Sequence, residues 1–351
     1  MKLRKKIIGI DARMSGENCT GISRYIRELT SRLFEIDKIN EYRLFLLEPE
    51  FSRFKVPVEK VKKIKVSSHW YSYREQIVLP WQMRRANCDL IHFPNFNLPI
   101  FYPKKYIVTI HDITPFFFSG HRRKSHFRDR AFRQVFQLAI NRATKIIAVS
   151  QSTKTDIIKY FKVDPQKIEV VLNGLDQKEF KPAPLEALTD LQIKHNITKP
   201  FILYIGVWRN HKNVVGLLRA FKILLTKHKL DYQLVIGGKE LPQYPEIRKT
   251  WQILGLEKNL ILPGFISQAE LPLFYQASKL LVIPSFKEGF GLTGLEALSC
   301  GTLITCSDIA PLREVFNTAT TYFNPADPEE MAQKVYQLAT DENLRAQKLA
   351  N

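Results

Sequence analysis

Twice along the chain, short apolar runs alternate with stretches whose apolar residues recur three and four positions apart, and this alternation restricts the fold more than any other feature. In the first half, "KIIGIDA" predicts a buried strand, and "GISRYIRELTSRLFEI" carries Ile22, Tyr25, Ile26, Leu29 and Leu33 at helical spacing. "YRLFLLE", "DLIHFPN", "KYIVTIHD" and "KIIAVS" predict further short strands. "QSTKTDIIKYF" predicts a helix with Ser152 as its N-cap, and "KIEVVLNG" closes this half. The alternation restarts at "FILYIGV". It runs through "NVVGLLRAFKILLTKH", "YQLVIGG", "PEIRKTWQILG", "LILPGF", "ELPLFYQA", "KLLVIPS", a helix after Glu288, "TLITCS" and a last helix from about Glu329.

Repeated strand–helix units build parallel sheets covered by helices. A chain of 351 residues is too long for one ordinary core. The expectation is an α/β protein of two parallel-sheet domains, residues 1–175 and 200–351, joined at 176–199 by a polar, proline-bearing linker with a short helix. Two such domains in series form a cleft between the C-terminal ends of their strands, where open α/β sheets take their ligands.

The net charge is +19, and it is unevenly placed. Residues 1–173 carry 33 Lys and Arg against 16 Asp and Glu, a net of +17; residues 174–351 carry 20 against 18, a net of +2. Such asymmetry fits a polyanionic partner for the first half (nucleic acid, anionic lipid headgroups or a phosphorylated substrate), and a solubility charge gives the same sum. The densest segment, "HRRKSHFRDRAFRQVFQLAINRATK" (121–145), has eight Lys and Arg against one Asp. Phe127, Phe132, Val135, Phe136 and Ala139 share a helical face of it. Basic side chains beside aromatics hold peripheral proteins on anionic membranes, and Arg122, Arg123, Lys124, Arg128, Arg130 and Arg133 are the expected contacts. A core-packed helix with a solvated basic face is the competing reading.

No apolar run approaches the ~18 residues that span a bilayer, and "IIGI" in "MKLRKKIIGIDAR" is too short for a signal peptide. Cys19, Cys88, Cys300 and Cys306 are scattered, with no histidine at ligand spacing. They read as buried free thiols of a reducing, cytoplasmic protein rather than a zinc site.

The stretch "PSFKEGFGLTGLEALSCG" (284–301) carries the most chemistry. A strand, "KLLVIPS", precedes it, and "GLTGLEALSC" is a helix that Gly301 stops at C′. Free backbone amides near Gly291 to Thr293 make an anion site at the helix start. Glu288 and Glu296 would repel a lone phosphate. They suit a ligand with neutral hydroxyls on both sides of its phosphates, as a nucleotide-diphosphate-sugar has. "GVWRNHKN" adds Arg209 and Lys212 after the first strand of the second half, a guanidinium fork and an ammonium suited to a diphosphate. No Asp-x-Asp occurs in the chain, so these two cations and the helix start are expected to replace a divalent metal on the departing diphosphate.

On these residues the chain resembles the retaining glycosyltransferases of family 4, over nearly its whole length. Glu288-Gly289-Phe290-Gly291-Leu292, continuing to Leu295-Glu296-Ala297, is similar to that family's E-x7-E signature. "GIDAR", "GISRY", "DLIHFPN", "TIHD", "AVSQSTKTDI" and "VLNGLD" support the match. The resemblance implies the GT-B fold, two Rossmann-like domains facing each other across a cleft, with the acceptor side in the first and the donor side in the second. It implies that Glu288 contacts the donor sugar, Glu296 the ribose, and Arg209 and Lys212 the diphosphate. Thr293 and the amides of Gly291 and Leu292 complete the cradle, which Gly289 and Phe290 shape. Gly21, in a first-domain loop, lets backbone approach the donor phosphates or acceptor, and His111 lies near the transferred sugar. Gly294 stands where the family often has a proline or a bulkier residue, which implies a looser helix start.

The resemblance also implies metal-independent transfer with retention, from GDP-mannose or a UDP-sugar, to a glycan or polyprenyl-phosphate-linked acceptor. No further cofactor is expected. The place of action is the cytoplasm, with peripheral attachment to the inner face of the membrane. A GT-B sugar-nucleotide epimerase would share the cleft but need no acceptor. A nucleic-acid-binding protein would explain the charge, but no helix-turn-helix, RNP or zinc signature supports it.

Overall fold

A computed structural model describes residues 4–16, 20–56, 59–118 and 126–350. The chain forms two compact units, residues 1–173 and 174–351. In the first, the order is β1 (Ile7–Asp11), α1 (Thr20–Ile36), β2 (Glu41–Leu46), α2 (Glu50–Arg53), β3 (Val61–Lys65), α3 (Tyr73–Arg85), β4 (Leu90–Phe93) and β5 (Tyr106–Ile110). Then come α4 (Thr114–Phe117), α5 (His126–Arg142), β6 (Lys145–Ala148), α6 (Gln151–Phe161) and β7 (Ile168–Val170). The seven strands pair in parallel in the order β3-β2-β1-β4-β5-β6-β7.

A parallel strand covered on both faces must be apolar at successive positions. β2 shows this: Leu44 and Leu46 join one cluster with Ile10 and with Ile26 of α1, while Phe45 joins another with Leu79 and Met83 of α3 and Phe136 of α5. The edge strand β3, "VKKIK", buries Val61 and points lysines outward, which blunts its open edge.

The second unit holds α7 (Leu185–Lys194), β8 (Phe201–Ile205), α8 (Val214–Thr226), β9 (Gln233–Gly237), α9 (Pro245–Ile253), β10 (Leu260–Gly264) and α10 (Leu271–Ala277). It continues with β11 (Leu280–Ile283), α11 (Leu292–Ser299), β12 (Ile304–Ser307), α12 (Ala310–Phe316), β13 (Thr321–Phe323), α13 (Pro328–Thr340) and α14 (Glu342–Ala350). Its six strands pair in parallel as β10-β9-β8-β11-β12-β13. Both sheets reverse their strand order beside the first strand, between β1 and β4 and between β8 and β11. Loops diverge there, and ligands of open α/β sheets bind there.

Three local expectations differ from what the structure shows, and of the two readings of α5 its described residues follow the core-packed one. The N-cap of α6 is Ser150, not Ser152: Ser150 is extended and its Oγ accepts from the Thr153 amide at 3.0 Å. Residues 176–199 hold the expected short helix, but Phe180, Leu191 and Ile197 are buried in the core of the second unit, so this stretch is part of that unit. Gly21 is the second residue of α1, not a loop residue, and an added Cβ there would meet nothing within 4 Å. The apolar face of α5 is used for packing: Phe136 and Ala139 are buried and Phe132 packs against the core. Arg133 lies with its guanidinium 3.9 Å from the Phe116 ring centre. Arg122, Arg123, Lys124 and Cys19, and the side chains of Phe127 and Arg128, lie outside the described residues. No helix among the described residues is long and apolar enough to cross a membrane.

The first unit is tied at its switch point by a sealed ion cluster. Arg13, 2% exposed, donates from Nε and Nη2 to both Asp11 oxygens at 2.8 and 2.7 Å, and from Nη2 to Glu75 Oε1 at 2.8 Å. Asn97 Nδ2 donates to the same Glu75 oxygen at 2.7 Å, and the Tyr71 amide to Oε2 at 2.9 Å. Burial raises the Glu75 carboxyl above its ordinary range even though Arg13 opposes it. Removing the cation leaves two buried carboxylates facing each other. Arg13→Met is expected to cost about 3–5 kcal/mol in urea denaturation, the scale of breaking a buried pair; a loss below about 1 kcal/mol would show the cluster to be dispensable.

Candidate active site

The loops that follow β8 and β11 meet. After β8 the chain runs through Arg209 into a short 3₁₀ turn, Asn210–Lys212, and then α8. After β11 it runs through residues 284–291 into α11. The Phe286 amide donates to the His211 carbonyl at 2.8 Å and joins the two loops. Across this junction Lys212 Nζ lies 2.6 Å from Glu288 Oε1, and Ser285 Oγ donates to the same oxygen at 2.8 Å. The pair is only partly covered, with side chains 24% and 15% exposed.

Burial alone would raise the Glu288 carboxyl. The Lys212 charge and its hydrogen bond, with Ser285, outweigh burial and hold Glu288 below the usual carboxylate range. Beside it, burial and the Lys212 charge push His211 down to about 4, so its imidazole is neutral at physiological pH. Arg209 does not join the pair. It lines an adjacent cavity of about 290 Å³ with Arg219, Glu246 and Phe286.

Gly291 is the N-cap of α11, with φ +95°, a left-handed conformation that favours glycine. An added Cβ there would lie 2.7 Å from Leu312 Cδ2. The first amide bonded back into the helix is that of Gly294, so the amides of Leu292 and Thr293 come before the ladder. Gly294 is tightly packed, the reverse of a loose start: an added Cβ would lie 2.3 Å from Phe316 Cζ, because the α12 ring fills that space. Glu296, one turn on, is 3% exposed and accepts from Tyr275 Oη at 2.6 Å through Oε2. Phe290 is buried under the loop. The helix closes as foreseen: Gly301 has φ +75°, its amide donates to Leu298 O at 2.9 Å, and the Thr302 amide donates to Ala297 O at 2.9 Å.

In the first unit His111 follows β5 at the rim of the sheet. Its Nε2 is 2.8 Å from the Pro94 carbonyl. A carbonyl only accepts, so Nε2 carries the proton and Nδ1 keeps its lone pair in the neutral ring. Burial pushes its pKa below the usual histidine value. The Tyr25 ring meets it edge-on, with centroids 4.8 Å apart. Behind it, Thr109 Oγ1 bonds both His92 Nε2 at 2.8 Å and Tyr25 Oη at 3.1 Å.

Comparison with known proteins identifies the scaffold. Residues 20–179 match the family described as Glycosyltransferase Family 4, and residues 189–350 match Glycosyl transferases group 1. O-antigen chain mannosyltransferase B of Escherichia coli is 29% identical over 345 residues, covering 93% of this chain and 88% of that protein. O-antigen chain mannosyltransferase RfbU of Salmonella typhimurium is 25% identical over 258 residues, covering 74% of this chain and 67% of that one. The Anabaena protein HepE, solved with UDP-glucose, superposes with a TM-score of 0.78 at 16% identity, over 99% of this chain and 93% of that one.

The chain belongs to the family 4 and group 1 glycosyltransferases. Its two parallel-sheet units are those of the GT-B fold. The glycosyltransferase brings Lys212, Glu288 and the start of α11 together at one switch point and sets Glu296 into the helix behind them. His111 and Gly21 belong to the other unit. Four supporting residues escaped the sequence reading. Ser285, three positions before Glu288, was within reach of it. Tyr275, 21 residues before Glu296, and the Thr109–His92 pair carry no local signal.

His92, 5% exposed, gives the glycosyltransferase an acid limit. Burial, with the charge of His111, pushes its pKa down to about 4. An unfolded histidine takes up its proton near ~6.5. Between those values the unfolded chain binds more protons, so stability is lost as pH falls through that window, by roughly 3 kcal/mol at its lower end. Thermal unfolding should show Tm falling steeply below about pH 6.5 in the wild type and less steeply in His92→Gln, which keeps a polar group but cannot charge. Parallel profiles would remove His92 from the account.

Proposed function

We propose that this glycosyltransferase moves a hexose, mannose in the first reading, from a nucleotide-activated donor to a glycan or lipid-linked acceptor, with retention at the anomeric carbon and without a metal. The observation that carries the reading is the mostly covered but still accessible Lys212–Glu288 pair beside the α11 start, with Glu296 buried one turn behind it. An ammonium has three protons to give, so Lys212 can hold Glu288 and a phosphate oxygen together. Among the described residues the bonds to Glu288 from Lys212 and Ser285 both fall on Oε1, which leaves Oε2 for a sugar hydroxyl. In this reading the amides of Leu292 and Thr293 meet the diphosphate, and Glu296, held by Tyr275, meets ribose hydroxyls. Arg209 supplies a second cation one turn before Lys212. The names of the O-antigen relatives favour mannose as the sugar, and the UDP-glucose in the HepE structure keeps UDP-sugars beside GDP-mannose as the donor.

In this reading the acceptor oxygen attacks the anomeric carbon from the face that the diphosphate leaves. The bond from carbon to phosphate oxygen breaks, the new glycosidic bond forms, and the acceptor proton passes to the leaving phosphate. The chain's part is to position the partners and to meet the developing charge on the diphosphate. Neutral His111, with Nδ1 as an acceptor, would hold a hydroxyl of the transferred sugar.

A thermal-shift panel of GDP- and UDP-sugars tests the donor, because a ligand at ~100 times its Kd adds about 2.7 kcal/mol to stability. Glu296→Gln should weaken free GDP or UDP, whereas Glu288→Gln should leave the free nucleotide unchanged and lower turnover. Equal loss of nucleotide binding in both variants would overturn the division of roles. A new sugar nucleotide formed without acceptor would mark an epimerase instead.

Activity should survive EDTA, and Lys212→Ala should lower kcat on the order of 10²-fold or more, the scale of losing one electrostatic donor. Loss of activity on chelation, with recovery on adding Mg²⁺ or Mn²⁺, would refute the metal-free reading.

A further inference from the structure

A cavity of about 660 Å³ lies in the first unit between α1 and the α2 segment. Arg27, Ser31 and Phe34 share one face of α1, spaced four and three apart, and Lys38 follows the end of the helix. Glu50, Arg53, Phe54 and Lys55 stand opposite. From Arg27 to the end of α1 is about 14 Å at 1.5 Å per residue, so the hollow is a groove along the helix. One end of it lies at the rim of the sheet. A Cβ on Gly16, in the loop after β1, would lie 3.3 Å from Glu50 Oε1, which sets Glu50 beside that loop. α1 joins β1 to the parallel β2, so Lys38 lies at the opposite edge of the sheet.

The floor is aromatic and fixed. Phe34 and Phe54 are half-buried against the cluster of Ile10, Leu44 and Leu46. Phe34 meets the Tyr42 ring edge-on with centroids 5.0 Å apart. From β3, Lys63 Nζ donates to the Phe51 carbonyl at 2.6 Å and to the Phe54 carbonyl at 3.2 Å, which pins the other wall. The polar side chains above the floor are uncommitted. Among the described residues Arg27, Lys38, Glu50, Arg53 and Lys55 make no ion pair.

Charge does not single this groove out for an anion. Its four cations and two carboxylates stand in the same ratio as the 33 and 16 of residues 1–173. An anion lying along it would also pass Glu35 and Glu50. What sets the groove apart is an aromatic floor between hydrogen-bond donors and acceptors, drawn out in a line. A sugar chain matches that combination: its ring C–H faces lie on aromatic rings, and its hydroxyls both donate and accept.

We infer that the groove along α1 is a second carbohydrate site, which holds a run of neutral sugars of a glycan whose end lies at the rim. Phe34 and Phe54 carry the ring faces, Arg27, Arg53 and the lysines donate to hydroxyls, and Glu50 accepts from them. The glycan-acceptor reading above supplies the chain that this site would serve; the binding itself needs neither donor nor transfer.

The test titrates the whole chain, without nucleotide, with a linear mannotetraose, with mannose and with mannose 6-phosphate, mannose being the sugar of the reading above. Calorimetry and saturation-transfer NMR follow the binding. The tetraose should bind at least about tenfold more tightly than mannose, because one ring covers only part of the groove, and added salt should not weaken it. Ser31→Trp, which sets an indole into the groove from an exposed helical position, should weaken tetraose binding about tenfold or more. Replacing Arg27 and Arg53 together by Ala should do likewise by removing donors, and thermal melting checks that each variant is folded. Absence of tetraose binding in the wild type, or binding that survives either folded variant, would overturn the inference. Tighter binding of mannose 6-phosphate that salt weakens and Ser31→Trp removes would make the groove an anion site and overturn it too. Tetraose binding that Ser31→Trp removes supports the groove whether or not GDP or UDP shifts the melt, so the donor reading stands or falls separately.

Discussion

One buried amide fixes the arrangement of the second unit. Asn213, 6% exposed, sits between the 3₁₀ turn that carries Lys212 and the start of α8. Its Nδ2 donates to the Pro284 carbonyl at 3.0 Å, in the loop after β11, and to the Pro325 carbonyl at 2.7 Å, in the loop after β13. Its Oδ1 accepts from the Gly216 amide at 3.2 Å and caps α8. Three connections leaving the same edge of the sheet are thus tied to one side chain. The backbone at Asn213 is left-handed, φ +53°, a conformation that Asn tolerates better than most residues. Gly216 completes the device, since a Cβ there would lie 2.4 Å from Asn213 Oδ1. The 2.6 Å approach of Lys212 to Glu288 follows from this tie, because each residue stands within a few positions of an atom it holds.

How much of this was legible in the sequence depended on whether a residue's partner was near in the chain. Buried parallel strands are apolar on both faces, so "KIIGIDA" and "FILYIGV" stand out wherever they lie. β3 did not, because an edge strand needs apolar residues on one side only, and "VKKIK" has just Val61 and Ile64. α3 was missed for the opposite reason. It is apolar on two sides and has Pro80 inside it, so no single helical stripe appears in its sequence. The Glu288–Glu296 spacing was legible because one loop and one helix hold both. That Tyr275 holds Glu296, and that Phe316 fills the space above Gly294, comes from sheet order, which brings α10 and α12 against α11. Gly21 was misplaced because glycine in "TGISRY" suits a loop and a first helical turn equally well.

The two units solve the same topological problem with different chemistry. Each sheet reverses strand order beside its first strand, and each must hold the loops that part there. The first unit uses a guanidinium locked between two carboxylates, and the second a neutral amide. The difference leaves the second unit's charges available. Lys212 and Glu288 are not needed to hold the loops, so they can meet a ligand without the scaffold coming apart.

Burial decides what each ion pair can do. Arg13, Asp11 and Glu75 have side chains 1%, 7% and 2% exposed, so no ligand reaches them and any exchange of partner would leave a bare charge in the core. Their attraction is spent on joining the loop after β1 to the first turn of α3. Lys212 and Glu288, at 24% and 15%, lie at the boundary where an ion pair is strong enough to set a carboxyl's charge yet open enough to admit a third group. Glu288 is held ionised by Lys212, and Lys212 is oriented by Glu288. A ligand with phosphate beside hydroxyl can engage both without separating them. A phosphate alone would meet the carboxylate as well as the ammonium, and a neutral sugar alone would leave the remaining ammonium protons unused. The same pair that keeps Glu288 ionised therefore favours ligands that carry both groups.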